Sequence, residues 1–344
     1  PILAGVAVAV AVLVGSLLVG DSVEGSLRAI ALERIGQVDY AVTSLRPIPQ
    51  DLADRIMEHE SAQAAAERIV PALLQQGAVR PAGAEASVSN VQIVAVPEGF
   101  WQMAEGAPST VPNRRNVVIN RTLADELEVE PGDSLLMNVG RGGQAPVASV
   151  FGRRDAQDTV QAVRVQVAEV IPTENVGYFS LRPIQERPRN LYVDLEWFQE
   201  RAGREGQVNT LLVSTKPEAD APFSGLREGM MAAATLRDYG LELVGSDWGR
   251  LLQARNVVIP QEVVRGIADA DLLGQRTSVY LANQIFLDGQ GAAIPYSVVA
   301  GVERIPGIED ADEASWLAEG EIALNSWAAD DLGAEVGDTV VLTY

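Results

Sequence analysis

The chain begins with a long apolar stretch, before its pattern of apolar and polar positions changes. Residues 1–20 read PILAGVAVAVAVLVGSLLVG, where no side chain is charged and only Ser16 is polar. Twenty residues of α-helix rise about 30 Å, which is the thickness of the hydrocarbon core of a bilayer. The pattern therefore predicts a membrane-spanning helix over residues 1–20.

The residues that follow keep helical spacing. Apolar side chains recur on one face, at Val23, Leu27, Ile30 and Ile35. Because Gly36 then supplies a C-terminal stop, we expect one continuous rod over residues 2–35. Residues 21–40 would form a stalk helix and the strand that leads into the domain. Their charges show no excess of Lys or Arg, which favours the non-cytoplasmic side. A cleaved signal peptide is the alternative, but its apolar region is usually shorter and closes with a small-residue site.

Residues 41–344 mix helical and strand patterns, as expected for an α+β extracytoplasmic domain of two subdomains. An amphipathic helix is expected over 51–76, and residues 216–276 read as mostly helical, best over 227–239 and 261–273. Alternating or β-branched runs predict strands over 91–96, 116–119, 135–139, 160–171, 190–194, 208–215, 279–286, 294–302 and 340–344.

One segment occurs twice. VVINRTLADELEVEPGDSLLM (117–137, the first Gly-Asp unit) aligns without gaps on IALNSWAADDLGAEVGDTVVL (322–342, the second Gly-Asp unit). Each copy predicts a strand, a short helix, a tight turn and a strand. Gly132 and Gly337 would take positive φ at the turn, and Asp133 and Asp338 would hold its amides. These four residues are predicted as structural turn formers, and the two carboxylates are not predicted to be a catalytic pair.

The Gly-Asp pattern resembles the extracytoplasmic domain of ABC-transporter permeases of the FtsX/MacB/LolC-like class. Three further stretches agree with it: GDSVEGSLRAIALERIGQVDYAV, NLYVDLEWFQERAGREGQVNTLLV and AIPYSVVAGVERI. The chain departs from the class in carrying the Gly-Asp unit twice, where most members carry it once.

The resemblance implies a permease subunit in the inner membrane, with the bulk of the chain on the periplasmic or extracellular side. Its partners would be a cytoplasmic ABC ATPase, a second permease subunit in a homo- or heterodimer, and membrane lipid. The domain would transmit ATP-driven motion of the stalk, to export or extract a substrate. The chain contains no Walker A pattern, so ATP hydrolysis is expected in a separate subunit and no enzymatic activity in this one.

Composition excludes several kinds of site. The formal net charge of −21 argues against nucleic-acid binding and against docking on anionic lipid. The sequence contains no cysteine and one histidine, His59, so Cys-ligated metals and histidine clusters are excluded. The acidic runs at 309–313 and at Asp269 and Asp271 lack the spacing of a Ca²⁺ loop and favour a solvated face. Residues 140–143 read as a glycine-rich turn rather than a phosphate loop. We therefore predict no catalytic, cofactor-binding or metal-binding residues.

The alternative is an exported enzyme or binding module, with residues 1–20 as its signal sequence. Twin Gly-Asp turns also resemble those of pseudo-twofold β-barrels such as double-psi barrels. Three further apolar segments of about twenty residues beyond Tyr344 would favour the permease, and a stop soon after it would favour the alternative.

Overall fold

The computed structural model describes residues 14, 22, 36–104, 106–140, 160–181, 186–246, 249–254, 259, 261–270, 274, 276–289, 291, 293–302 and 317–344. Apart from Val14, the predicted spanning helix lies outside these residues, as do the stalk side chains of Val23, Leu27, Ile30 and Ile35. Val14 and Ser22, which are described, are helical. In the described part of the chain, no helix combines the length and apolar character that crossing a membrane requires.

The chain divides into two compact lobes. The N-terminal lobe comprises Pro1–Ala145 and Arg154–Gly240, and the C-terminal lobe comprises Pro146–Arg153 and Leu241–Tyr344. The regular elements of the N-terminal lobe are β1 (Tyr40–Pro49), α1 (Leu52–Met57), α2 (Glu60–Ala65), β2 (Ala66–Pro81), β3 (Val88–Val96), β4 (Asn116–Asn120), α3 (Arg121–Leu127), β5 (Ser134–Gly140), β6 (Val160–Ile171), β7 (Asn190–Asp194), α4 (Leu195–Ala202), β8 (Gln207–Thr215) and α5 (Pro222–Ala233), with 3-10 turns at Glu98–Gln102, Asn175–Tyr178 and Leu236–Tyr239.

Six strands of the N-terminal lobe close on themselves. The sheet runs β1-β8-β2-β3-β7-β4-β6-β5, and β2 pairs a second time with β5. The closing contacts join Val79 to Met137 and Pro81 to Leu135. β2, β3, β7, β4, β6 and β5 therefore form a six-stranded ring, in which β3 runs parallel to β7 and β4 parallel to β6. Closure removes the free edges of these six strands.

The interior of the six-stranded ring is a packed apolar core. Alternate residues of each strand point into it and are buried, among them Leu73, Ile93, Val117, Ile119, Met137, Val165 and Leu191. The intervening residues, among them Val94, Val118 and Tyr192, form a second buried cluster with Phe100, Trp101 and Phe179 of the covering segments. The period of two places one set inside the ring and the other against its covering segments. The interior is thus filled with side chains and is not a ligand cavity.

The helix expected over 51–76 is wrong after residue 65. α1 and α2 are short, and residues 66–81 form the long strand β2. Pro71 lies in the middle of this segment, and its ring opposes a helix. The first half of β2 pairs with β8 and the second half with β3. These long-range ladders satisfy the main chain along the segment, and they override its helical spacing of apolar residues.

α5 approaches α2 closely because both helices present small residues. A Cβ on Gly225 would lie 2.5 Å from the carbonyl oxygen of Ser61, and one on Gly229 would lie 2.6 Å from the Cβ of Ala62. Met230 and Ala233 of α5 then reach the core of the lobe. The glycines therefore allow a helix contact that larger residues would prevent.

An ion pair holds the last turn of the N-terminal lobe. Arg55 Nη2 lies 2.6 Å from Asp238 Oδ1, and Arg55 Nη1 donates to Asp238 Oδ2 at 3.1 Å. Thr235 donates to the same carboxylate through N and Oγ1, at 2.6 and 2.8 Å. Burial raises the pKa of Asp238, but the hydrogen bonds from Arg55 and Thr235 and the positive charge of Arg55 outweigh it and lower the pKa below its ordinary value. The carboxylate thus stays ionised and fixes residues 235–239.

The C-terminal lobe is built on smaller sheets. Its elements are β9 (Leu241–Ser246), β10 (Gly249–Ala254), α6 (Gln261–Asp269), β11 (Thr277–Leu287), β12 (Ala293–Val302), α7 (Ser326–Leu332) and β13 (Val340–Thr343). β9 and β10 form a hairpin, and a three-stranded sheet runs β12-β11-β13. Ile285, Leu287, Ile294 and Leu332 form its small core.

The mostly helical reading of 216–276 is therefore wrong over the β9–β10 hairpin. Gly245 and Gly249 were a signal against a helix there, because glycine disfavours helix interiors.

Candidate functional site

The two Gly-Asp units share their local geometry. At the start of α3, Asn120 Oδ1 accepts a hydrogen bond from Leu123 N at 3.1 Å, and at the start of α7, Asn325 Oδ1 accepts one from Ala328 N at 2.8 Å. An asparagine in extended conformation that bonds the amide three residues on is a helix N-cap. The two identical asparagines thus begin the two helices in the same way.

The Gly-Asp turns are also alike. Asp133 Oδ2 accepts from Glu130 N and Asp338 Oδ2 accepts from Glu335 N, both at 2.8 Å. Gly132 has φ of 102° and Gly337 of 104°, in the region that favours glycine. In both units the carboxylate is used as an acceptor for the turn amide. Asp133 and Asp338 therefore have the same position and the same contact in the two turns.

The units differ in the segment before the helix, where the expected strand is present only once. In the first unit, β4 pairs with β6 on one side and with β7 on the other. Residues 321–325 of the second unit belong to no strand. The predicted strand–helix–turn–strand repeat is therefore complete in the first unit and lacks its leading strand in the second.

The two capping asparagines differ in how deeply they are buried. Asn120 is fully buried, whereas Asn325 is exposed. Asn120 Nδ2 donates to the carbonyl oxygens of Gly177 and Pro188, at 2.9 and 2.7 Å, and its Oδ1 accepts a second bond, from Asn190 N at 3.1 Å. The same side chain therefore caps a helix and joins three separate segments of the N-terminal lobe.

The sequence reading missed Asn190 and Tyr192, which extend this network. Asn190 Nδ2 donates to Phe179 O at 2.9 Å and approaches the Tyr192 hydroxyl at 3.3 Å, and that hydroxyl donates to the carbonyl of Val176. Burial raises the pKa of Tyr192, although the contact from Asn190 lowers it, so the phenol stays neutral. The polar Asn190 directly before Leu191, at the start of a short strand, was the available signal, since buried amides are kept only where they are bonded.

An ion pair also attaches the first Gly-Asp unit to the residues before β7. Arg189 Nε, just before β7, lies 2.6 Å from Glu126 Oε2 on α3. The hydrogen bond to Glu126 raises the pKa of Arg189. Residues 188–192 thus hold the first Gly-Asp unit by main-chain pairing, by the Asn120 side chain and by this ion pair.

The other residues considered in the sequence have structural positions or lie outside the described ones. His59 caps α2, with Nδ1 accepting from Ser61 N at 3.3 Å. In the parts of the chain that the structure describes, no group of three His, Asp or Glu side chains could hold a metal ion. Residues 309–313, Asp271 and residues 141–143 are not among the described ones, Gly140 ends β5 and Asp269 ends α6.

The comparison of the sequence with protein families is decisive. The profile of the family described as MacB-like periplasmic core domain matches residues 2–222. The chain belongs to this family. The match to the MacB-like periplasmic core domain begins in the apolar N-terminal stretch, includes the first Gly-Asp unit and all of the six-stranded ring, and ends within α5. The second Gly-Asp unit lies beyond it.

The chain is also similar to solved structures. The periplasmic region of MacB from Actinobacillus actinomycetemcomitans is 8% identical, with 71% of this chain and 99% of that one covered and a TM-score of 0.39. The extracellular domain of the noncanonic ABC-type transporter YknZ from Gram-positive bacteria is 11% identical, with 54% and 88% covered and a TM-score of 0.35. No curated protein matches the chain.

Proposed function

We propose that this MacB-like periplasmic core domain is the extracytoplasmic part of an ABC-transporter permease and transmits motion of its stalk. The observation that carries the proposal is the family match, which extends from residue 2 to residue 222. It includes the predicted spanning segment, the stalk and the six-stranded ring. The partners would be a cytoplasmic ATPase, a second permease subunit and membrane lipid, with the domain on the non-cytoplasmic side.

The junction between stalk and domain supports such a coupling. Val38 is buried, and Asp39 N donates to Val213 O of β8 at 2.9 Å. The carboxylate of Asp39 accepts from both N and Oγ1 of Thr215, each at 2.7 Å. The chain is thus attached to the sheet within a few residues of the stalk.

From this junction the sheet continues into the ring. β1 pairs with β8, and β8 pairs with β2, which belongs to the six-stranded ring. A hydrogen-bonded sheet over a close-packed core deforms little, so a displacement at residues 38–39 would move the ring as a body. Motion of the stalk would in this way reach the whole N-terminal lobe.

The experiment interrupts the stalk in the intact transporter. Leu27→Pro introduces a kink and costs about 3 kcal/mol of helix, whereas Leu27→Ala keeps the helix and serves as the control. We expect Leu27→Pro to reduce transport strongly while substrate-independent ATP hydrolysis by the partner subunit continues. Normal transport by a folded, membrane-inserted Leu27→Pro protein would refute the coupling.

A second variant covers the case in which Leu27→Pro fails to insert. Asp39→Ala removes the contacts to Thr215 and leaves residues 2–35, the predicted rod, unchanged, so we expect reduced transport with normal insertion. Wild-type transport by this variant would equally count against the proposal.

The enzyme alternative is tested on the purified chain. We expect no ATP hydrolysis and no stoichiometric transition metal, because the sequence has no Walker A pattern, no cysteine and a single histidine. Turnover of ATP, or zinc at one equivalent by elemental analysis, would favour the alternative.

A further inference from the structure

In the second Gly-Asp unit, the segment that aligns with β4 belongs to no strand of the described residues. The main chain of Ile322–Leu324 makes no hydrogen bond to the described residues, and residues 321–323 are exposed. Asn325, at the end of this segment, is in extended conformation, and main-chain N–H and C=O groups that are not paired in a sheet can accept another strand. The side chains beside it are apolar and solvent-accessible: Ile322 is 38% exposed and Trp327 is 62% exposed.

The first Gly-Asp unit shows what covers the same segment when it is buried. β7 runs antiparallel to β4, with Tyr192 opposite Val118 and Leu191 opposite Ile119. The residues just before them supply the polar contacts, since Asn190 N and Pro188 O both bond the side chain of Asn120. The covering segment is therefore the strand β7, which is directly preceded by an arginine, Arg189, paired to Glu126.

The second unit keeps the counterparts of these contact groups. Asn325 aligns with Asn120, and Asp331 aligns with Glu126. Asn325 Oδ1 caps its helix, but its Nδ2 has no partner among the described residues, and Asp331 forms no ion pair with them. One position differs: Trp327 replaces Thr122, which in the first unit bonds Thr173 at 2.9 Å. The tryptophan offers an apolar platform where the first unit has a polar contact.

Charge defines the occupant further. From residue 317 to residue 344 the chain carries six carboxylates, all exposed, and no lysine, arginine or histidine. Such a surface repels a second acidic chain and attracts cationic side chains.

We propose that residues 322–325, together with Trp327 and Asp331, bind an extended, arginine-containing segment of a partner polypeptide by strand addition. The added strand would run antiparallel to residues 323–324, place a main-chain carbonyl on Asn325 Nδ2 and an arginine on Asp331. Main-chain bonds supply the affinity in this mode, and the side chains supply the selectivity. The surface lies outside the residues that match the family, and it does not depend on the proposed coupling.

The test uses the chain's own covering strand as a probe. A labelled synthetic peptide with the sequence of residues 187–193, RPRNLYV, blocked at both ends, is titrated with the 344-residue chain at low ionic strength and followed by fluorescence anisotropy. We expect saturable binding that weakens as salt is added. Asp331→Asn should weaken it by about threefold and Asn325→Ala by about fivefold.

Two controls make the result specific. Asp330→Asn removes a neighbouring carboxylate whose counterpart, Asp125, pairs with Arg121 of its own helix, and it should leave the affinity unchanged apart from a small non-specific charge effect. A peptide N-methylated at its asparagine keeps its charge but loses a main-chain donor, and it should bind about tenfold more weakly or not at all.

Several results would overturn the proposal. Absence of saturable binding would do so, as would equal binding of the methylated peptide, or equal effects of Asp330→Asn and Asp331→Asn. If the chain instead dimerises in solution and Trp327→Asp makes it monomeric, the occupant is a second copy and the assignment of a basic partner is wrong.

Discussion

Replacing Asn120 should destabilise the N-terminal lobe far more than replacing Asn325, the residue aligned with it, destabilises the C-terminal lobe. Asn120 is fully buried and makes four hydrogen bonds, two as acceptor and two as donor. In Asn120→Ala, the amides of Leu123 and Asn190 and the carbonyl of Pro188 lose this partner. A buried polar group without a partner costs about 1–3 kcal/mol, so the combined loss should be about 3–5 kcal/mol after partial relaxation. Asn325→Ala removes one exposed cap, worth about 1 kcal/mol.

The measurement is urea unfolding of the full chain by far-UV circular dichroism, combined with hydrogen exchange to show which lobe opens. Exchange should rise in α3 and β7 for Asn120→Ala, and in α7 alone for Asn325→Ala. Asn120→Asp separates the two roles of the side chain, because it keeps the capping oxygen but has no Nδ2 donors. It should also be strongly destabilised. Equal losses of stability for Asn120→Ala and Asn325→Ala would refute the reasoning.

Three further predictions concern the packing, the turns and pH. Gly229→Ala should destabilise the chain by about 1–3 kcal/mol, because its Cβ would overlap α2. Gly266→Ala, whose Cβ would have no neighbour within 4 Å, should be neutral or stabilising. Equal melting temperatures for the two variants would contradict this prediction. Gly132→Ala and Gly337→Ala should each lower the unfolding free energy by about 1–2 kcal/mol, because the positive φ at each turn disfavours alanine although there is room for its Cβ. A large difference between the unfolding midpoints of the two variants would count against two equivalent turns. The pKa of Asp238 is lowered in the folded state, so the ionised carboxylate stabilises the fold above the ordinary aspartate pKa of 3.8, and this stabilisation is lost as pH falls through the folded pKa. The difference in unfolding free energy between the wild type and Asp238→Asn should therefore shrink on acidification. A difference that grows would contradict the prediction.

Short-range patterns were sufficient for much of the secondary structure. The strands Val160–Ile171 and Asn190–Asp194 have the predicted bounds, because alternation along a half-buried strand and a polar residue at its end are local features. The hairpin of β11 and β12 around its glycine-rich turn was likewise predictable. The family could be identified from sequence alone, since the Gly-Asp pattern and its flanking stretches span most of the chain.

Ring closure, by contrast, was decided only by the tertiary structure. Residues 66–76 carry apolar side chains at helical spacing, yet they form a strand because β8 and β3 supply ladders from distant parts of the chain. No local feature of Ala66–Pro81 specifies those partners, and loop closure over such separations is a property of the whole fold.

The two asparagines show the same division between sequence and structure. The identical residues at 120 and 325 determine the same cap, since a cap needs only the amide three residues on. Whether the cap is buried depends on β7, which covers Asn120 and has no described counterpart over Asn325. The sequence by itself therefore determined the cap and the turn of each Gly-Asp unit. The tertiary structure decided that the first unit is part of a core and that the second is exposed, because burial is set by neighbours that lie far away in the chain.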